Sequence, residues 1–378
     1  MHEIVVLGGG YTGLITAASL AGWTRRRDVH ITVVNAGDRF TERLRLHQTA
    51  TGQQLSDLRI PDALANTNAT LTTGWVTAIN PTAKTVRIDD STELGYDTLV
   101  YALGGAADTA GVPGAELHAY TMDGWTDAQA LARRLAQAGT KAVAICGSGL
   151  TGIETAAEIA EQHPDLDVTL IGRTRPGSDM TPRAARHLTA ALDRLGVRVI
   201  TAEIGEVLPD AVETIDGLRI ATDVAVWTAG VRVSPLPAAA GISTDERGRI
   251  RTDGTLRSTS HPDVYAVGDA AAVPVSFGVL HGTCQSGMPT GVHAAWNIVR
   301  ELDGRAPARF RFGYLHLPVS LGRGDAVVQF TRGDGSPHRW HLTGRAAVWY
   351  KETVSASPWP SAARMVRMPW AGRLAWRR

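Results

Sequence analysis

Met1-His2-Glu3-Ile4-Val5-Val6-Leu7-Gly8-Gly9-Gly10-Tyr11-Thr12-Gly13-Leu14 is the stretch on which the reading of this chain turns. Ile4 to Leu7 is an unbroken aliphatic run of the kind found in strands buried on both faces. It enters Gly8-x-Gly10-x-x-Gly13, and Leu14 to Leu20 then has helical spacing and good helix formers. Strand, glycine turn and helix in that order convert a weak motif into a dinucleotide fingerprint. Gly8 serves the tight turn, Gly10 the close approach of a pyrophosphate, and Gly13 the packing of helix on strand. Tyr11 and Thr12 lie between them, where free amides at the helix start suit phosphate oxygens.

The pattern returns about 140 residues later, which is an internal duplication in the architectural sense. Ala142 to Ile145 reads as a strand, Gly147-x-Gly149-x-x-Gly152 as the turn carrying Leu150 and Thr151, and Ile153 onward as a helix. The strands that follow the two helices end differently. Val29 to Val34 ends at Asn35, where an acid usually holds the adenosine ribose; an amide still bonds a hydroxyl. Val168 to Ile171 ends at Gly172, followed by Arg173 and Arg175. With no carboxylate to repel a 2′-phosphate and two guanidinium forks suited to one, this end predicts NADPH over NADH, with NADH still accepted. The fold class is α/β, with two Rossmann-like lobes and a carboxy-terminal α+β segment.

Other signals are weaker. Arg43, Arg45, His47 and Gln48 suit either an electron-rich ring or a solvated helix face, and His47 and His281 read as structural. Val76 lies in a hairpin with Lys84 to Ile88, and Tyr96 to Gly105 is a buried strand running into Ala102, Gly104 and Gly105. Asp223 to Val231 leads out of the second lobe through Gly230. Val264 to Val267 runs into Gly268-Asp269, whose carboxylate suits ribityl or ribose hydroxyls. Gln285, Ser286 and Gly287, within Cys284 to Gly291, precede an amphipathic helix expected over 292–302, whose amino end suits a flavin. Ala326 to Phe330 and Trp340 to Leu342 are strand-like.

Composition excludes much. A net charge of +1 offers no field for nucleic acid. Two cysteines without a CxxC exclude a disulfide scaffold, and Cys284 reads as a small buried residue. No HxxxH or Cys/His cluster marks a metal site. Without a basic leader or a long apolar run, a cytoplasmic chain is expected. Residues 339–378 differ from the rest. They hold eight Lys/Arg against Glu352, and Trp340, Trp349, Trp359, Trp370 and Trp376. That mixture suits either an anionic membrane face on the inner side or a lobe burying its tryptophans on the protein or on a second subunit, as in a homodimer.

Taken together, these motifs resemble the FAD-dependent pyridine nucleotide-disulfide oxidoreductase family, over about residues 1–310. Within it the chain is most similar to type II NADH dehydrogenases, through Phe40…Ala50-Thr51-Gly52, Thr151-Gly152-Ile153-Glu154 and Trp227-Thr228-Ala229-Gly230-Val231. The resemblance implies an FAD part at 1–112, an NAD(P)H domain at 113–240, a second FAD part at 241–310 and an acceptor-side segment at 311–378. It puts Glu154 where nicotinamide meets flavin, Val76 at the adenine, and Gln285, Ser286 and Gly287 along the isoalloxazine ring. The resemblance implies paired cysteines beside the flavin for the disulfide branch and cysteines of its own for the sulfide:quinone branch, which Cys284, standing alone, does not supply. The implied activity is NAD(P)H oxidation with electrons passed to a quinone-like or other small organic acceptor. A flavin oxidase or monooxygenase using O₂, and a non-enzymatic NAD(P)H sensor, are the alternatives.

Overall fold

In the computed structural model, which describes residues 1–375, the two fingerprints head two separate parallel sheets. The first orders Val264–Ala266, Thr98–Tyr101, His2–Leu7, Val29–Asn35 and Ala69–Thr73, all parallel. The aliphatic run is why His2–Leu7 takes the centre: Ile4, Val6 and Leu7 are wholly buried between layers. The second sheet orders Arg198–Thr201, Asp167–Gly172, Ala142–Cys146, Val224–Trp227 and Ala119–Thr121, again all parallel. Val224–Trp227, expected to lead out of this lobe, instead pairs directly with Ala142–Cys146. Its four residues are all buried, as suits an inner strand lying between Ala142–Cys146 and Ala119–Thr121.

Each lobe also carries a three-stranded antiparallel sheet. One is Val76–Asn80, Thr85–Ile88 and Thr92–Gly95; the other is Ile204–Val207, Ala211–Thr214 and Arg219–Ala221. The helix Cys284–Leu302 lies against the first helix, Tyr11–Thr24. Glycines permit that closeness: a Cβ at Gly287 would fall 2.6 Å from Thr12 Oγ1, and one at Gly291 2.8 Å from the Thr12 carbonyl oxygen.

The carboxy-terminal segment is ordered structure rather than a loose tail. Three antiparallel strands, His316–Ser320, Ala326–Thr331 and Pro337–Thr343, precede helices Gly344–Ala356 and Pro358–Arg367. Pro358 begins the second of these, where its missing N–H costs nothing. That helix packs on Tyr11–Thr24, with the Trp359 ring 5.4 Å from Phe40. Trp340, Trp349 and Trp370 remain exposed, while Trp376 lies outside the described residues.

Candidate active site

The two fingerprint helices begin alike. Gly10 and Gly149 are their N-caps, no side chain caps either start, and neither first turn carries an acid. A Cβ on Gly10 or Gly149 would meet nothing within 4 Å, so both turns are open on that side. A Cβ on Gly13 would fall 1.8 Å from the Gly8 carbonyl oxygen, and one on Gly152 1.8 Å from that of Gly147. Gly8 (φ +100°) and Gly147 (φ +126°) also hold backbone angles that strain any other residue. Uncapped amides facing open space are what an anionic phosphate needs.

A cavity of about 770 Å³ joins the turns. From the first lobe it takes Gly8, Gly10, Tyr11, Thr12, Asn35, Arg43, Val76, Ala102, Gly104, Gly268 and Asp269. Leu150, Thr151, Glu154 and Gly230 come from the second lobe, and Gln285 from the helix Cys284–Leu302. His47, Gly105, His281 and Cys284 line it as well, whereas several sequence candidates do not. Gly13, Gly147, Gly149 and Gly152 shape the turns behind it, and Gln48 is buried in the short helix Leu46–Ala50. Ser286 is buried in a capping box with Thr283, and Gly287 is packed on Thr12, so neither meets the cavity. Arg173 and Arg175 stand in solvent, Arg173 being 3.9 Å from Glu203.

Several wall residues have settled roles. Asn35 accepts from the Gly9 N–H at 2.9 Å and donates to the Gly37 carbonyl, so its amide braces the turn. Arg43 donates to the Gly105 carbonyl at 2.8 Å and to Asp123 at 3.2 Å. The Asp269 carboxyl is pushed up by burial against the pull of Arg43. Burial likewise pushes the Cys284 thiol up to about 12, which leaves no thiolate at neutral pH. Gln285 holds the carboxy-terminal strand to the wall: it donates to the His316 carbonyl at 2.9 Å and accepts from the Leu315 N–H at 2.6 Å.

Glu154 sits in a buried ionic cluster that the sequence did not announce. Lys351, from helix Gly344–Ala356, pairs with its Oε1 at 2.8 Å, and the Ser320 N–H donates to the same oxygen at 3.0 Å. Burial by itself would raise this carboxyl; Lys351, then His47 and the Ser320 amide, bring it below its ordinary value. His47 lies 3.9 Å from Glu154 and 3.9 Å from Glu158. Arg323 bridges Glu158 at 2.9 Å and Glu352 at 2.8 Å, and Arg45 also reaches Glu352 at 2.9 Å. The cluster thus ties both lobes to the carboxy-terminal segment. Arg45 is neither a ring ligand nor a free surface charge.

Burial pulls the His47 imidazole down to about 4, against Glu154 and with help from Lys351 and Arg323. Its folded pKa is below its unfolded value, so the unfolded chain takes the proton first. Stability should fall by about 2 kcal/mol on going from about pH 7.5 to pH 5 on this account. His316, also lowered to about 4 by burial and Lys351, acts in the same direction. Urea midpoints at the two pH values check this, and His47→Gln should remove part of the slope. An unchanged slope would assign the acid sensitivity elsewhere.

The sequence pattern of the pyridine nucleotide-disulphide oxidoreductases matches residues 2–297. The chain belongs to that family. It is therefore an FAD-dependent oxidoreductase, and the two-lobed α/β architecture is the family's. An NADH dehydrogenase-like protein of Mycobacterium tuberculosis is 30% identical over 362 residues, covering 88% of each chain. A type II NADH:quinone oxidoreductase of Staphylococcus epidermidis is 27% identical, over 93% of this chain and 94% of its own. Among solved structures, the sulfide:quinone oxidoreductase of Aquifex aeolicus superposes with a TM-score of 0.83 at 17% identity, over 99% of this chain and 94% of its own. At that identity the likeness is one of fold.

Proposed function

We propose that the chain oxidises a reduced pyridine nucleotide, NADPH in preference to NADH, and passes the electrons through FAD to a quinone-type acceptor. The observation that carries this reading is that one cavity reaches the first glycine turn, the second lobe's Thr151 and Glu154, and the carboxy-terminal strand at His316. When bound, the flavin supplies the chemistry: it takes two electrons from the nucleotide and gives them to the acceptor. Amides at Tyr11 and Thr12 hold the FAD pyrophosphate, Asp269 accepts from ribityl hydroxyls, and the backbone at Val76 meets adenine. Leu150 and Thr151 play the phosphate part for the second nucleotide. Glu154 borders the nicotinamide, and Gln285 fixes the wall between flavin and acceptor. The name of the staphylococcal relative, an NADH:quinone oxidoreductase, supports the quinone end of the reading; the exposed Arg173 and Arg175 support NADPH.

Anaerobic titration tests it. The purified holoprotein should bleach with either nucleotide, faster and at lower concentration with NADPH, and recolour on adding a soluble quinone. Recolouring by O₂ alone at the quinone rate would favour an oxidase. Failure to bleach would remove the enzyme reading.

No helix among the described residues is long and apolar enough to cross a membrane. Peripheral contact remains part of the proposal, because Trp340, Trp349 and Trp370 are exposed among the tail's cations. Truncating the tail is a poor test, since it also removes Lys351 from Glu154. Replacing the three exposed tryptophans by Ser should instead reduce flotation with anionic vesicles several-fold, while FAD content stays constant. Equal flotation would leave the tail without a membrane role.

A further inference from the structure

The two lobes solve one steric problem in opposite ways. In the first, the turn residue Gly9 has no side chain, and the strand-end residue Asn35 fills the space between them. A Cβ on Gly9 would fall 2.5 Å from Ile60 Cδ1 and 3.1 Å from Asn35 Cγ, so Ile60 and Asn35 together keep that position bare. In the second lobe the turn residue is Ser148 and the strand end is Gly172. Here a Cβ on Gly172 would fall 2.2 Å from Ser148 Oγ, 2.6 Å from its Cβ and 2.7 Å from its backbone nitrogen. The serine is fixed as well as present: its hydroxyl donates to the Thr174 carbonyl at 2.7 Å. That bond holds the loop from which Arg173 and Arg175 project into solvent. One of each pair carries a side chain, never both.

We propose that Ser148 sets the nucleotide preference of the second lobe, by excluding any strand-end side chain at Gly172. This rests on the proposed function, in which the second lobe takes the pyridine nucleotide. In dinucleotide folds the strand-end position is where a carboxylate holds the ribose 2′-hydroxyl and repels a 2′-phosphate. With Ser148 in that volume, no carboxylate can be introduced there alone. The 2′ side is left with a neutral hydroxyl and two loop guanidiniums, an environment that tolerates or favours a phosphate. Ser148 is thus a specificity residue acting through the space it occupies. Gly172 is forced to be glycine by its neighbour rather than by its own backbone, since its φ is not in the left-handed region.

The consequence is a non-additive pair of substitutions. Dissociation constants for NAD⁺ and NADP⁺ would be measured on oxidised, FAD-loaded protein, for the wild type, Gly172→Asp, and Ser148→Gly with Gly172→Asp. Gly172→Asp alone should weaken both nucleotides by about tenfold or more, because the turn must move to admit it. In the double variant only the 2.7 Å approach to the backbone nitrogen of residue 148 remains, to be relieved by a small shift of the turn. It should recover part of the lost NAD⁺ binding and shift the NAD⁺/NADP⁺ preference by about tenfold towards NAD⁺, the size of one charge-assisted hydrogen bond gained and one lost. FAD absorbance, which depends on the other lobe, should be equal in all three and reports folding. If Gly172→Asp alone shifts the preference as far as the double variant, Ser148 excludes nothing and the proposal falls. It falls equally if the double variant binds well with its preference unmoved. A wild type that keeps FAD but binds neither nucleotide would overturn the proposed function along with it.

Discussion

Replacing Lys351 by Met should destabilise the protein by about 3–5 kcal/mol, the cost of leaving a buried carboxylate without its partner. Glu154 and Lys351 are both nearly inaccessible, and their 2.8 Å contact lies between two elements that no strand pairing joins. Desolvation of Glu154 is offset by the lysine, by His47 and by the Ser320 amide; removing the lysine leaves only the amide and the more distant His47. The loss should be greatest at high pH and shrink as pH falls through the abandoned carboxyl's own pKa, which burial without the lysine raises above the ordinary carboxylate range, because there it takes a proton and becomes neutral. Pairing Lys351→Met with Glu154→Gln should restore a large part of the stability, because a neutral amide keeps the Ser320 hydrogen bond and needs no cation. Urea unfolding of the four proteins closes the cycle. A loss under about 1 kcal/mol for Lys351→Met, or a double variant no better than the single, would mean that water reaches and screens the pair.

That pair also shows where the sequence stops being informative. The glycine turns were legible because their constraint is local: Gly13 and Gly152 each face a carbonyl five residues back, and no other residue fits. Glu154 was legible through the family resemblance, as was Asp269 on its strand end. Lys351 was not. In the sequence it is one of eight cations in a segment with a single acid, and it reads as solvated or membrane-facing charge. Its burial follows from the docking of helix Gly344–Ala356 on the strands 316–331, a long-range event with no periodicity to report it. Arg323 and Arg45 were lost for the same reason, since Glu158 and Glu352 come from distant elements. The tryptophans divide similarly. Trp359 is set against Phe40 by the helix it sits on, whereas Trp340 and Trp349 stay exposed, and nothing in their neighbours in sequence separates them. Ser286 misled for a different reason. As the N3 residue of its helix it has a capping partner in Thr283, and that local bond holds it away from the cavity.

Gly10→Val should abolish FAD binding while leaving the apoprotein as stable as the wild-type apoprotein. Nothing lies within 4 Å of a Cβ at Gly10, and its φ of −71° suits any residue, so the fold has no objection to a side chain there. The isopropyl group would instead stand in the cavity, over the uncapped amides meant for the pyrophosphate. Gly13→Val should behave oppositely. Its Cβ meets the Gly8 carbonyl oxygen at 1.8 Å, so helix and strand must separate and the apoprotein itself is weakened. Asp269→Ala should behave as a milder form of Gly10→Val. It removes a half-buried carboxylate on the cavity wall, where burial already disfavours the bare charge. The apoprotein should lose nothing, while FAD affinity drops by the worth of a charge-assisted hydrogen bond, about 1.5–3 kcal/mol or ten- to a hundredfold. Bound flavin stabilises the native state by mass action, about 4 kcal/mol at a thousandfold excess over Kd. Added FAD should therefore raise the melting temperature of the wild type strongly, of Asp269→Ala only at higher concentration, and of Gly10→Val not at all. Yellow protein from Gly10→Val, or an apoprotein of Asp269→Ala that melts well below the wild-type apoprotein, would move the flavin away from this turn and this carboxylate.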